Sequence, residues 1–361
     1  MIPNTRPRIV FNENDICNGC VTSLQRKEVD WKQREKEFFE ITDKHKNLHG
    51  GYDCVVPWSG GKDSSYVAYM LKFKYKLNPL LVTFSPLIPN EIGHHNREEL
   101  LKLGFDHIYY RSNPDISSYL SRRFFIERGN PKVNWDAAVT SIPLTIALKY
   151  NISLVFYGEH GESEYGGRVL SKKHTKSRDL SEIYENIIGD DPMNWVDDKV
   201  KETDLIPYIQ PEQTEIENKG LDIVYYGYFF PWDVKYNYDF ISDKINFKTA
   251  KNGRTDGTFT NYDSLDDKID DLYYYMQYIK FGFGRTIRDA SRLIQRGKMS
   301  RAEGLKNVLK YDDEFPKTYF NDVLEFMKIS KKEFIEIVDM HRNDEIWKFE
   351  NKIWKLRYPP K

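Results

Sequence analysis

Between Tyr52 and Tyr157, short apolar runs rich in β-branched residues alternate with longer stretches whose apolar side chains recur every three or four positions. The runs at 54–56, 80–84, 107–110 and 152–157 read as buried strands, being too short for helices and bounded by Gly, Pro or charged residues. The stretches at 64–76, 96–103, 115–128 and 136–150 read as helices, the second of them stopped by Gly104 in the left-handed position that ends many helices. Repetition of strand and helix in this order predicts an α/β fold. It implies a parallel sheet with flanking helices and ligands at the carboxyl ends of the strands.

The pattern differs on either side of this core. Before it, Asp30 is placed to cap a helix carrying Trp31, Phe38, Phe39 and Ile41, with Gln33 three residues after the cap, and His49-Gly50-Gly51 ends it. After about residue 170 come charged loops, the aromatic run 225–230 and a mostly helical tail, with helical spacing at 266–278, 286–295, 301–310, 319–327 and 331–339. These shifts divide the chain into a knuckle and helix at 1–50, an α/β region at 51–230 and a helical region at 231–361. There is no internal repeat.

Composition narrows the function. With 54 Lys+Arg against 55 Asp+Glu the formal net charge is −1, so no global basic field favours nucleic acid by counterion release. Three cysteines in 361 residues cannot form a disulfide framework, and such sparse thiols fit a reducing cytoplasm. The first thirty residues carry Arg6, Arg8, Glu13, Asp15 and Arg26 without an apolar core, unlike a signal peptide. No window reaches the ~18 apolar residues that span a bilayer. The expected partner is therefore neither a nucleic acid nor a membrane.

The strongest chemical signal is Ser59-Gly60-Gly61-Lys62-Asp63-Ser64, directly after the first strand and opening the next helix. Two glycines let the backbone turn tightly around an anion, and the positive end of the helix favours phosphate there. Ser59, Lys62 and Ser64 add hydroxyl and ammonium donors. The spacing fits neither G-x-x-x-x-G-K-[ST] nor G-x-G-x-x-G. Thr83 and Phe84, at the carboxyl end of the second strand, are neighbouring candidates for the nucleotide.

The loop 158–167 after the fourth strand carries Glu159, Glu162 and Glu164 among glycines. In a parallel sheet it faces the same crevice, where carboxylates would hold Mg²⁺ on phosphates or orient a nucleophile. Glu159 and Glu162 are favoured for this work, against the plainer reading of a solvated acidic loop.

Ser59–Ser64 resembles the PP-loop of the ATP pyrophosphatase superfamily, whose members cleave ATP between the α and β phosphates. Further stretches resemble one family within it, the N-acetyl sugar amidotransferases of bacterial surface-polysaccharide synthesis. These are 3–8 with Cys17-x-x-Cys20, Asp30-Trp31, the Gly-Glu-x-Gly-Glu loop at 158–162, Pro231-Trp232-Asp233, 254–258 and 278–285. The resemblance implies that ATP adenylates the acetamido carbonyl oxygen of an N-acetylated, nucleotide-linked sugar, and that ammonia then displaces AMP to leave an acetamidino group. On this scheme Lys62, Asp63, Glu159 and Glu162 are catalytic, with Ser59, Gly60, Gly61 and Ser64 completing the ATP site and Glu159 a candidate Mg²⁺ ligand.

No cysteine sits in a convincing glutaminase setting, since Cys54 lies inside an apolar strand. The resemblance therefore implies a separate glutaminase and a barrel subunit resembling the histidine-pathway synthase, delivering ammonia. The aromatic run 225–230 is then either a docking surface for them or core packing.

Cys17 and Cys20 have the spacing of half a zinc site. The family carries a second CxxC just upstream, where this chain opens at Met1-Ile2-Pro3. His45 and His49 offer a second pair, although as helix residues they read more simply as surface groups. His94-His95 reads as loop. For the sugar or its phosphates the candidates are Glu164, Arg254, Lys280 and Arg285, the two arginines because each stands beside glycine. Arg288 and Arg292 fit a solvated helix face equally well. Two other readings are a PP-loop RNA thiolase, which needs a sulfur-handling cysteine and a basic face, and a non-catalytic scaffold that kept the loop.

Overall fold

Five parallel strands organise the chain in the order β3-β2-β1-β4-β5. They are β1 (Cys54–Pro57), β2 (Pro79–Phe84), β3 (Asp106–Tyr110), β4 (Leu154–Tyr157) and β5 (Asp222–Tyr225). The computed structural model describes residues 2–47, 50–161, 164, 175–178, 180–181, 184 and 188–361. Val55 of β1 sits opposite Leu80 of β2 on one side and Val155 of β4 on the other. The chain steps outward from β1 to β3, then crosses back to β4, so the winding reverses between β1 and β4. Ligands bind at such a switch point in open parallel sheets, and the loops after β1 and β4 are the two that flank it.

The central strands are apolar throughout because both faces are covered. Val55, Val82 and Val155 face one cluster with Leu120, Phe124 and Ala137, from the helices Pro114–Arg128 and Val133–Lys149. Cys54, Val56, Leu81 and Phe156 face the other, with Phe38 from Trp31–His45 and Val67 from Lys62–Tyr69. Each fully buried side chain of this size stabilises the fold by about 1.5–3 kcal/mol. Asp30 caps the helix Trp31–His45 as the sequence predicts, accepting from the Lys32 and Gln33 amides at 3.1 and 3.0 Å.

Several elements depart from the sequence pattern. The helix after β1 starts at Lys62 because Gly61 is its N-cap, and a π-helical turn, Met70–Lys74, continues it. The helix after β2 spans Glu91–Leu101, since the Asn90 side chain accepts from the Gly93 amide at 2.9 Å. His94 and His95 are thus helical, and the His95 ring contacts the Asn246 carbonyl at 2.8 Å.

β5 lies just before the aromatic run and shares only Tyr225 with it, while Tyr226 and Phe229 of the run are fully buried between sheet and helix. That run mainly packs the core, with Tyr228 and Phe230 half-buried at its edge. The helices Asp270–Phe281, Arg285–Gln295, Arg301–Tyr311, Phe320–Met327 and Lys331–Met340 are followed by an antiparallel hairpin, β6 (Trp347–Glu350) and β7 (Ile353–Leu356). The buried Trp347 anchors the hairpin by donating to the Ile279 carbonyl at 2.6 Å. No helix among the described residues is long and apolar enough to cross a membrane.

Candidate active site

The Gly60 backbone turns through φ +89°, and an added Cβ would lie 2.4 Å from Cγ of Arg97. Arg97 is buried beneath the loop and donates to the Ser59 carbonyl at 3.1 Å, so it cannot swing aside without releasing that carbonyl. Gly60→Ala is expected to lower unfolding stability by about 1–3 kcal/mol through backbone strain and displacement of Arg97. Urea denaturation checks this, and an unchanged midpoint would contradict the strained geometry. The Gly61 amide is braced by Ser59 Oγ at 3.1 Å, and Ser64 Oγ donates to the Gly61 carbonyl at 3.3 Å. Asp63 is held by Lys62 at 2.8 Å and by Asn237 of the helix Val234–Lys244, also at 2.8 Å, so it positions the loop as much as it faces the cavity.

A cavity of about 500 Å³ opens from this loop, with Ser59, Gly61, Lys62, Asp63, Ser64 and Glu159 on one side. The rest of its lining, a second wall that meets the first at Asp263 and Arg292, comes from Lys132, Trp135 and Asp136 and from Tyr262–Asp267, Asp270, Tyr273, Tyr274, Arg288 and Arg292. Lys62 is 2% exposed and ion-paired with Asp263, while Arg288 and Arg292 each approach the same carboxylate at 3.7 Å. Burial alone would lower the Lys62 pKa, but Asp263 and Asp63 outweigh it and the net shift is upward, so the ammonium stays charged. Burial likewise opposes ionisation of Asp263, and Lys62, Arg292 and Arg288 overcome it, holding that carboxyl well below the usual range.

On the second wall, burial pushes the Asp136 and Asp266 carboxyls up to about 7. A carboxyl poised near neutrality can take or give a proton at working pH.

The structure brings together Ser59, Gly61, Lys62, Asp63, Ser64 and Glu159, the last with Arg292 at 3.6 Å. Glu162 lies outside the described residues. Other sequence candidates are engaged elsewhere. Thr83 donates to the Trp58 carbonyl and meets the His107 ring at 2.8 Å, while Phe84 is in the core. Glu164 is buried between Arg26 and Arg296 and does not line the cavity. Arg254 makes a bidentate pair with Glu314 at 2.5 and 2.7 Å, and Lys280 donates to the Arg128 carbonyl at 2.6 Å.

Arg285 is 1% exposed and donates to the Asp263 carbonyl at 2.7 Å, so it shapes the wall from behind. Sequence reasoning missed Asp263, Lys132, Trp135, Asp136 and the tyrosines. Only the spacing of 288 and 292 on one helix face carried a signal.

Cys17 and Cys20 are neighbours, and burial first and then Cys17 raise the Cys20 thiol pKa. Among the described residues no group of three or more His, Cys, Asp or Glu could hold a metal, and a structural zinc takes four ligands. The His45 ring nitrogens are each 2.7 Å from a partner, Ser153 Oγ and Asp222, and hydrogen bonding from His45 draws the Asp222 pKa down to about 2. His49 lies outside the described residues. Magnesium is a different case, because it needs only one or two carboxylates besides a nucleotide's phosphates. Asp63 and Glu159 are two carboxylates that line the cavity beside the glycine loop.

Comparison with known proteins bears mainly on the second wall. An uncharacterized protein of Methanocaldococcus jannaschii is 38% identical over 78 residues, which is 22% of this chain and 28% of that relative's length. The crystal structure of a predicted subunit of tRNA methyltransferase from the same organism aligns with 50% of this chain and 92% of its own, at 19% identity and a TM-score of 0.23. Residues 256–358 match the family described as LPS biosynthesis protein WbpG-like, C-terminal domain. The cavity wall from Tyr262 to Arg292 therefore lies within a region similar to a domain of lipopolysaccharide biosynthesis proteins.

Proposed function

We propose that this protein is an ATP-dependent amidotransferase that converts an N-acetylated, nucleotide-linked sugar to its acetamidino derivative for surface polysaccharide synthesis. The observation that carries the reading is the Ser59–Ser64 loop at the β1/β4 switch point, facing a cavity whose other wall falls in the WbpG-like region. An amide is a poor electrophile until its oxygen becomes a leaving group. The acetamido oxygen attacks the α phosphorus of ATP, the bond to the β-phosphate oxygen breaks, and pyrophosphate departs. Ammonia then adds to the activated carbon, loses a proton, and AMP leaves with the former amide oxygen.

Ser59, Gly60, Gly61 and Ser64 bind the phosphates in this scheme, and Lys62 neutralises charge gathering on the departing pyrophosphate. Glu159 and Asp63 would hold magnesium, which screens the phosphate charge. Asp136 or Asp266 takes the proton from the incoming amine. Ammonia comes from separate glutaminase and synthase-like subunits.

The RNA thiolase reading is less favoured because none of the three thiols lines the cavity and Cys54 is wholly buried, its thiol pKa raised by burial. The test supplies purified protein with ATP, ammonium and an acetamido nucleotide sugar. Amidine, AMP and pyrophosphate are the expected products, and ADP with phosphate would overturn the adenylation step.

A further inference from the structure

Three cations from two distant parts of the chain converge on one carboxylate. Lys62 Nζ pairs with Asp263 Oδ1, and Arg288 Nη2 and Arg292 Nη1 both lie 3.7 Å from Asp263 Oδ2. All four groups line the cavity at the mouth of the glycine loop. Each cation has a second carboxylate as well, Lys62 with Asp63 at 2.8 Å, Arg288 with Asp289 at 3.0 Å and Arg292 with Glu159 at 3.6 Å, but Asp263 is the one they share, and together they present three donors to the cavity in the manner of a polyphosphate site.

The carboxylate is carried on a loop with strain of its own, since Ser264 adopts φ +50°, a left-handed conformation that costs a non-glycine residue of order 1–3 kcal/mol. That loop is braced from behind, where Arg285 holds the Asp263 carbonyl.

We propose that Lys62, Arg288 and Arg292 form the polyphosphate clamp of the cavity, and that the Asp263 carboxylate is its resident counter-ion, which pyrophosphate must displace. The inference rests on reading the cavity as an ATP site. It adds two clamp arginines and an internal competitor. Asp263 shares in compensating these cations with Asp63, Asp289 and Glu159, and it is the carboxylate common to all three. When a polyphosphate enters, the turn at 263–265 moves the Asp263 carboxylate out of the clamp while Asp267 stays tied to the Leu87 and Ile88 amides, and Ser264 is the strained point about which it turns.

Inorganic pyrophosphate without magnesium is the probe, so that no metal bridge to Asp263 can arise and no turnover is needed. Calorimetric titration of Asp263→Asn should show affinity raised about tenfold to a hundredfold over the unaltered protein, the scale of a charged hydrogen bond no longer in competition. Arg288→Gln and Arg292→Gln should each weaken binding about tenfold or more. Equal or weaker binding by Asp263→Asn would overturn the counter-ion role, and unchanged binding by both arginine variants would overturn the clamp.

Should Asp263→Asn fail to fold, hydrogen exchange on the unaltered protein decides. Amides of 263–265 exchange faster with pyrophosphate if the turn carrying Asp263 is released, whereas unchanged or slower exchange overturns the displacement. Formation of ADP from ATP would sink the amidotransferase reading while leaving these pyrophosphate results intact.

Discussion

Replacing Lys62 by Met is expected to lower kcat/KM for AMP formation from ATP by about 10²–10³-fold while the protein remains folded, the scale on which a preorganised donor to developing charge contributes. Lys62 opens the helix after the glycine loop, is buried, and has its ammonium 5.3 Å from the Tyr262 ring centroid, so it is fixed before substrate arrives. Met keeps the length and apolar stem but removes the charge. Asp263 would still have Arg288 and Arg292 for compensation, which is why folding should survive.

The upward shift of the Lys62 pKa adds a second expectation. Ordinary lysine titrates near about 10.4, so a raised value keeps Lys62 cationic from about pH 6 to about pH 9, and activity should show no loss from its deprotonation in that window. AMP release measured against pH checks both parts. Unchanged release by Lys62→Met would remove the loop from the phosphate site.

That prediction was open to sequence reading because the loop is local. Residues 59–64 follow one another, and the apolar run before them and the amphipathic run after them identify strand and helix without any distant contact. The second wall was not open in the same way. Asp136 and Asp263 are separated by more than a hundred positions and share a cavity only because the helix Val133–Lys149 packs on β1 and β4 while the segment before Asp270–Phe281 is tied to residues 87–90 after β2.

Arg285, Arg288 and Arg292 show the same limit within one helix. Their spacing places them on one face, but how that helix docks decides which end reaches the cavity. It leaves Arg285 behind the wall, against Asp271 and the Asp263 carbonyl, and Arg288 and Arg292 at it. Local cues also fell short: the apolar spacing indicates a helix at 96–103, whereas the Asn90 cap starts it at Glu91 and makes His94 and His95 helical.

The largest stability effect is expected on the second wall of the cavity, where Lys132→Met should cost about 3–5 kcal/mol, the range for removing one partner of a buried ion pair. Lys132 is 5% exposed, is paired with Asp270, lies 3.8 Å from Asp267, and has its ammonium 3.8 Å from the Trp135 ring centroid. Asp267 cannot turn away, because it also accepts the Leu87 and Ile88 amides at 2.9 and 3.0 Å and so ties the segment after β2 to this wall.

Asp136 and Asp266 bind protons more tightly folded than unfolded, their pKa values being about 7 against an ordinary carboxyl near about 4. Their contribution to stability is therefore complete below about pH 4 and is lost as the pH rises toward 7. Lys132 lowers both values. Without it they rise further, the loss continues above pH 7, and the deficit of the variant should be larger at about pH 8 than at about pH 5.

Urea denaturation at the two pH values measures this directly. Adding Asp270→Asn to Lys132→Met should recover part of the loss by removing an unpaired carboxylate. A single-variant cost under about 1 kcal/mol, or a deficit that shrinks with rising pH, would mean that Lys132 does not compensate this cluster.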